Sequence, residues 1–167
     1  MVPRSALSRD NVMDILRDVM DPEVPVISVV ELGIIRGIDI EGDAITVTVT
    51  PTYSGCPAMH AIEGDIVAAL QARGAGMVVV RTSYSPAWTT DWIPAEAREK
   101  LRAYGIAPPG AVDHSAPVAI GRRRATVRCP FCGSMDTELR SEFGSTACKA
   151  IHVCGGCHQP FEEFKPI

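Results

Sequence analysis

Apolar residues recur at helical spacing near the start of the chain and alternate with polar residues soon after. Five of them form one stripe of a helix over residues 8–20, with Ser8 as its N-cap: Val12, Ile15, Leu16, Val19 and Met20. Pro22 and Pro25 should end that helix, because each removes a donor and restricts the residue before it. Segments 34–40 and 45–50 then alternate across a short turn, which predicts an antiparallel hairpin with one buried face.

A second helix, a third strand and a third helix follow the hairpin. The helix ends at Gly74 and its apolar stripe holds Met59, Ile62, Ile66, Ala69 and Leu70. Residues 77–80 are all apolar, which predicts a strand inside the sheet. Pro94 suits the first turn of a helix over residues 95–104. The order predicts an α+β fold, a small αββαβα domain with a mixed sheet, for residues 1–107.

The last part of the chain carries the strongest local signal. Residues 108–124 contain proline and glycine without periodicity, which is typical of a linker. In residues 125–167, the pairs Cys129/Cys132 and Cys154/Cys157 are separated by 21 residues. Two Cys-x-x-Cys turns can bring four sulfurs to one tetrahedral ion. With the strands predicted around them, these pairs indicate a C-terminal zinc ribbon.

Structural zinc is the predicted metal of this unit, because so small a core needs an ion to fold. A set of four cysteines also binds iron in a rubredoxin-like site or an iron-sulfur cluster, and the spacing cannot separate these alternatives. We interpret Cys148 as a packing residue or a fifth sulfur. His152 and His158 are interpreted as bystanders.

Composition narrows the functional classes. The chain has 167 residues, 46% of them hydrophobic, and a net charge of −4. It can therefore bury the core of one medium domain plus a small one. The start lacks the apolar core of a signal peptide and no apolar run could span a bilayer, which predicts a cytoplasmic protein without a membrane partner. Three arginines at 122–124 are too few, in an acidic chain, to predict nucleic-acid binding.

Cys56 stands on a loop between the second strand and the second helix. Pro57 suits the first helical position, so the free amides behind it should point towards the sulfur and favour its thiolate. Cys56 is thus a candidate nucleophile or a ligand of metal or sulfur. The competing interpretation is a small buried apolar residue. The acidic loop with Asp21 and Glu23 is either part of the same chemistry or a simple turn.

Four short motifs in the first domain occur in the order found in iron-sulfur assembly factors of the SufT kind. They lie within residues 8–105 and comprise Asp21-Pro22-Glu23, Leu32-Gly33, residues 52–57 and Pro86-Ala87-Trp88-Thr89. With the tail added, including residues 143–150, the whole chain resembles the D-subunit family (PaaD, also called PaaJ) of the bacterial ring-1,2-phenylacetyl-CoA epoxidase system. The sequence has the family's residues at Asp21, Glu23 and Cys56.

This resemblance implies a non-catalytic accessory role in aerobic phenylacetate breakdown. In that system the oxygenase subunits hold a diiron centre, and the reductase holds flavin and an iron-sulfur cluster. The implied role is maturation or insertion of one of these centres. Cys56, with Asp21 or Glu23, would transiently hold iron or a cluster. The implied partners are the oxygenase and reductase subunits or the iron-sulfur assembly machinery, and a homo-oligomer stays open.

Two other classes of function remain open at the level of sequence. One is a nucleic-acid-binding regulator that uses the ribbon and the arginines at 122–124, for which salt-sensitive binding would be diagnostic. The other is a thiol enzyme with Cys56 as nucleophile and His60 as base, four residues apart on one helical face. No third residue that would orient the base is evident for this enzyme.

Overall fold

The computed structural model describes residues 7–111 and 126–167. The chain divides into two compact units, of which the first ends at Trp88 and the second begins at Thr89. Residues 112–124 of the predicted linker, with the three arginines at 122–124, lie outside the described residues.

The first unit contains two helices and a three-stranded sheet. Helix α1 spans Arg9–Arg17 and begins as predicted at Ser8, whose hydroxyl accepts a hydrogen bond from the Asn11 amide. The helix ends three residues before Met20. The later elements are strand β1 at Ile35–Glu41, strand β2 at Ala44–Val49, helix α2 at Ala58–Ala72 and strand β3 at Met77–Thr82.

The sheet is mixed, with strand order β1-β2-β3. Strands β1 and β2 form the predicted antiparallel hairpin, in which Ile38 pairs with Val47. Strand β3 runs parallel to β2, with Val80 beside Val47, so helix α2 provides the crossover that a parallel pair needs. Helix α1 packs on α2 and β1, and α2 also packs on β3.

Strand β3 corrects one sequence prediction. Its apolar run predicted an internal strand, but within the described residues of the first unit β3 lies at the edge of the sheet. Met77 is 62% exposed and Val79 is 39% exposed. Val78 and Val80 are only half-buried on the opposite face. One face of this run contacts α2, and the other face, with Met77 and Val79, is exposed although it is apolar.

The core of the first unit lies between the helices and one face of the sheet. Its fully buried side chains come from α1, β2, α2 and the segment between α1 and β1: Val12, Leu16, Ile27, Val29, Ile34, Val47, Val49, Ile62, Ile66 and Leu70. Trp88 is also buried, and its indole nitrogen donates to the Leu32 carbonyl at 3.0 Å. Trp88 therefore closes the core.

The second unit is a four-stranded sheet preceded by helix α3 at Ala95–Tyr104. The strands are β4 at Ile106–Ala107, β5 at Thr137–Ser141, β6 at Lys149–Cys154 and β7 at Pro160–Phe164, arranged in the order β4-β7-β6-β5. Strands β5, β6 and β7 are antiparallel neighbours, as expected of a ribbon.

Strand β4 was not predicted, and it joins α3 to the ribbon. It runs parallel to β7, with Ile106 beside Glu162. The backbone oxygen of Ile167 also accepts hydrogen bonds from the Thr90 amide at 3.0 Å and the Thr89 hydroxyl at 2.7 Å. Residues 89–107 thus belong to the second compact unit, whereas the sequence prediction grouped them with the first.

Among the described residues, no helix has both the length and the apolar character needed to cross a membrane. The longest, α2, has 15 residues.

Candidate functional site

Four cysteines from two turns meet in the second unit. The Sγ atoms of Cys129, Cys132, Cys154 and Cys157 all lie within 4.8 Å of one another. The Cys132–Cys154 pair is 3.5 Å apart and the Cys129–Cys157 pair is 3.7 Å apart. Sulfurs at the corners of a tetrahedron with Zn–S bonds of about 2.3 Å stand about 3.8 Å apart, which is close to these two distances, so the quartet suits a zinc ion. The four sulfurs form a metal site of the zinc-ribbon type.

The two turns that present these sulfurs have the same backbone design. In the first, the Gly133 amide donates to the Cys129 carbonyl, and in the second the His158 amide donates to the Cys154 carbonyl, both at 2.9 Å. Gly133 and His158 each follow the last cysteine of their turn and have positive φ, 76° and 60°. His158 therefore occupies the position that glycine occupies in the first turn.

Electrostatics within the quartet favour a bound cation. The amide of Cys157 donates to the Cys154 sulfur and lowers the pKa of that thiol to about 6. A hydrogen bond from the Gln159 backbone lowers the pKa of Cys157, but burial and the three nearby sulfurs outweigh it and raise that pKa to about 12. Four thiolates this close repel one another without a cation, so a divalent ion would displace the remaining protons.

The metal site is continuous with the core of the second unit. Cys129 and Cys154 are buried against Ala107, Val127 and Phe161, and Cys157 packs on the same cluster. Cys132 is exposed at the surface. A metal ion held by these four sulfurs would thus tie both turns to the core that includes strand β4.

Cys148 and His152 also lie in the ribbon, outside the quartet. Cys148 is buried, with its sulfur 3.0 Å from the Thr146 hydroxyl. The ring of His152 is buried, stacks on Phe161 and lies with Nε2 2.8 Å from a Glu163 oxygen. Its Nδ1 has no hydrogen-bond partner among the described residues. Both side chains are packing elements of the ribbon sheet.

Cys56 lies half-buried at the end of the loop that precedes α2. Its amide donates to the Tyr53 carbonyl, and its own carbonyl accepts from the Met59 amide, each at 3.3 Å. Helix α2 begins at Ala58, one residue later than predicted. Pro57 in the cap position makes no side-chain hydrogen bond to the first turn. The helix start behind Cys56 therefore has no side-chain cap, which leaves it available to an anionic group.

Asp21 and Glu23 shape a turn between α1 and β1. Asp21 is buried, and its Oδ1 accepts hydrogen bonds from the Glu23 amide at 2.9 Å and the Val24 amide at 2.7 Å. Glu23 is half-buried in the same turn, and His60 is exposed near the start of α2. The two backbone hydrogen bonds give Asp21 a structural role in the turn, and a shared site of Asp21, Glu23 and Cys56 stays a prediction.

A buried ion pair in the ribbon was missed at the level of sequence. The ammonium of Lys149 lies 3.1 Å from a Glu162 oxygen, and the lysine side chain is only 3% exposed. Partial burial would raise the pKa of Glu162, but the Ser145 amide and Lys149 outweigh it and lower the pKa below its ordinary value. A lysine within the otherwise apolar run 148–151 is the signal that could have indicated this pair.

Sequence comparisons assign a class to each part of the chain. Residues 9–83 match the family described as iron-sulfur cluster assembly protein, and residues 113–165 match the PaaD zinc beta ribbon domain. A structure of DUF59, a domain of unknown function from Bacillus anthracis, shares 23% identity with a TM-score of 0.51 over 55% of this chain and 89% of its own. That likeness shows the fold of the first unit. The protein thus combines an assembly-type domain with a zinc ribbon.

Full-length relatives identify the family more narrowly. The chain is 45% identical to a candidate D subunit of the 1,2-phenylacetyl-CoA epoxidase of Escherichia coli K12, over 92% of this chain and 90% of that protein. It is 33% identical to an Fe-S protein maturation auxiliary factor of Porphyromonas gingivalis, over 56% of this chain and 90% of that one. The chain belongs to the family of phenylacetyl-CoA epoxidase D subunits, as the sequence resemblance predicted.

Proposed function

We propose that this protein is an accessory factor of a phenylacetyl-CoA epoxidase system and helps to mature or insert the iron-sulfur or diiron centre of a partner subunit. The observation that carries the proposal is that two units occur in one chain. One is an assembly-type unit, which presents Cys56 directly before a helix without a side-chain cap, and the other is the zinc ribbon of the D-subunit family. The relative from Porphyromonas gingivalis is described as a maturation factor, which supports the same role.

Cys56 is the residue we assign to the cargo. A half-buried thiol on a loop can reach a metal ion while the surrounding backbone limits access of water. The Cys56 thiol would lose its proton as the sulfur binds iron or a cluster, and a proton would return to the sulfur when the cargo passes to the client. The helix start behind Cys56 would stabilise the negative charge of a thiolate-bound cargo.

The zinc ribbon has a separate, structural role in this proposal. Its four sulfurs form a complete ligand set for one ion, and two of the cysteines are core residues of the second unit. The protein itself performs no catalysis, works in the cytoplasm, and has the oxygenase and reductase subunits or the iron-sulfur assembly machinery as partners.

Growth on phenylacetate tests the proposal in cells that lack the native protein. Cys56→Ser should abolish complementation, whereas Ser54→Ala, an exposed position on the same loop, should restore wild-type growth. His60→Ala should also restore growth, because this proposal gives the exposed His60 no role. Full growth with Cys56→Ser would refute the assignment, and loss of growth with His60→Ala would favour a thiol enzyme.

A further inference from the structure

The four cysteines of the metal site differ in how deeply they are buried. Cys129 is 1% exposed and Cys154 is 0% exposed, while Cys157 is half-buried against the same core cluster. Cys132, by contrast, is exposed. One cysteine of the quartet is therefore open to solvent, and the other three are protected wholly or partly by the core of the second unit.

The second metal turn, which presents Cys154 and Cys157, is covered by a neighbouring segment of chain. The Gly155 amide donates to the Asp136 carbonyl at 2.7 Å, and a Cβ on Gly155 would collide with the Asp136 carboxylate. A Cβ on Gly156 would lie 3.2 Å from Ser134 Cβ. Residues 134 and 136 thus limit access to the sulfurs of this turn.

The first metal turn has less cover around its second cysteine, Cys132. The preceding residue, Phe131, is 56% exposed. Among the described residues outside its chain neighbours, a Cβ on the following residue, Gly133, would come within 4 Å of Arg128 alone, whose Nη1 would lie at 3.9 Å. A small reagent can therefore approach Cys132 from solvent on this side of the turn.

A second sulfur stands within reach of the exposed cysteine. The Sγ atoms of Cys132 and Cys154, which belong to different turns, lie 3.5 Å apart. An S–S bond of about 2.05 Å would need these two atoms to approach by only about 1.5 Å. An accessible thiolate beside a second cysteine that can resolve its oxidised form is the usual arrangement of an oxidation-sensitive site.

We propose that Cys132 is an oxidation site at which hydrogen peroxide opens the zinc ribbon. The Cys132 thiolate attacks one peroxide oxygen, so an S–O bond forms, the O–O bond breaks and hydroxide leaves. The Cys154 thiolate then attacks the Cys132 sulfur, an S–S bond forms and a second hydroxide leaves. The two sulfurs lose two electrons and the peroxide gains them, and two protons from solvent convert the hydroxides to water.

This disulfide removes two of the four ligands of the metal site. Cys129 and Cys157 alone do not complete a tetrahedral set, so the ribbon should release its zinc. The second unit should then lose structure, because Cys129 and Cys154 belong to its core. A dithiol reductant with added zinc should reverse the change. The inference goes beyond the proposed function, since no step involves Cys56.

Full-length, zinc-loaded protein that carries Cys56→Ser tests the inference when it is treated with hydrogen peroxide, because this change removes the half-buried thiol of the first unit. A brief treatment with dimedone present, which labels sulfenic acids, should label Cys132 before the other quartet cysteines. A longer treatment without dimedone should give a Cys132–Cys154 disulfide and about one released zinc ion per disulfide. Peptide mass spectrometry and a zinc-sensitive dye provide the two measurements.

Two outcomes of this treatment would overturn the inference. One is a first label on Cys129, Cys154 or Cys157 instead of Cys132. The other is oxidation of Cys132 without release of zinc. Zinc that stays bound in excess peroxide, with every quartet cysteine unmodified, would refute it equally.

A pair of histidine variants isolates the contribution of the exposed sulfur. Three cysteines and one histidine also bind zinc, so the zinc content of each variant is measured before peroxide is added. Cys132→His should release zinc about tenfold more slowly than the parent protein, whereas Cys157→His keeps the exposed sulfur and should stay within about threefold of it. Release from Cys132→His at the parent rate would contradict the proposal. If either variant fails to bind zinc, the order of labelling in the parent protein decides.

Discussion

Cys56 and Asp21 belong to one sequence pattern, but the structure gives them different environments. Asp21 is buried and satisfied by two backbone amides, whereas Cys56 is half-buried at the start of a helix that no side chain caps. The cysteine is therefore the candidate for chemistry. The aspartate is the residue that sets the backbone of the turn between α1 and β1.

Alkylation at neutral pH tests the reactivity of Cys56. Because the thiolate is the reactive form, Cys56 should react with iodoacetamide faster than a free model thiol, while Cys148 is protected by burial and the quartet by its metal. Mass spectrometry of peptides after short exposures gives the order of modification. Reaction at Cys148 or the quartet before Cys56 would contradict an activated thiol at the helix start.

Two substitutions separate the contribution of Asp21 to stability from any contribution to function. Asp21→Ala removes the acceptor of two backbone hydrogen bonds and should lower the free energy of unfolding by about 1–3 kcal/mol. Asp21→Asn keeps an oxygen at that position and should cost less. Denaturant unfolding measures both. If Asp21→Asn is stable yet fails to support growth on phenylacetate, the carboxylate also takes part in function.

At the scale of elements, periodicity predicted nearly every helix and strand, and the exceptions have physical causes. Helix α3 was predicted with its observed bounds, since Pro94 and Gly105 mark its ends. Strand β4 has only two residues, too few to show any period, and it exists because it pairs with β7. Strand β3 lies at an edge although its sequence is apolar, because position in a sheet depends on partners that a local pattern does not encode.

The site was predictable to a similar extent. The Cys-x-x-Cys spacing identified all four sulfurs of the quartet, because two tight turns suffice to place them. The Lys149–Glu162 pair depends on the register between β6 and β7, which places Ile151 rather than Lys149 directly opposite Glu162. Such a diagonal contact cannot be inferred before the register is known.

The lowered pKa of Glu162 makes a prediction for the ribbon sheet. A carboxylate whose pKa is lower in the folded state stabilises the fold above its ordinary pKa of 4.5, and that contribution is lost as pH falls through the lower, folded value. Glu162→Gln should therefore destabilise the second unit at pH 7 and narrow its difference from wild type under acidic conditions. Melting of both proteins from pH 7 to pH 3 measures this difference.

Acid also displaces zinc, but both proteins carry the same four cysteines and should lose it alike. The difference between their melting temperatures therefore reports the contribution of Glu162. A gap between the two melting temperatures that stays constant from pH 7 to pH 3 would show that Glu162 does not titrate as described.

At the scale of the whole molecule, the chain consists of two compact units with different sources of stability. The first has a continuous apolar core, and the core of the second includes two sulfurs of the metal site. Cys132→Ser should therefore lower zinc content and unfold the described residues of the second unit, 89–111 and 126–167, while residues 7–88 stay folded. Backbone amide signals by NMR would identify which residues lose structure. Loss of both units together would contradict separate stabilities.

Central to the proposed function is that Cys56 of this D-subunit family member delivers or inserts the metal of a partner. The most direct measurement is the iron content of the oxygenase and reductase subunits after anaerobic co-expression with the wild type, with Cys56→Ser, with Ser54→Ala or without this protein. We predict that iron in one subunit falls with Cys56→Ser to the level found without the protein, while Ser54→Ala matches wild type. Full iron in both subunits with Cys56→Ser would contradict this role.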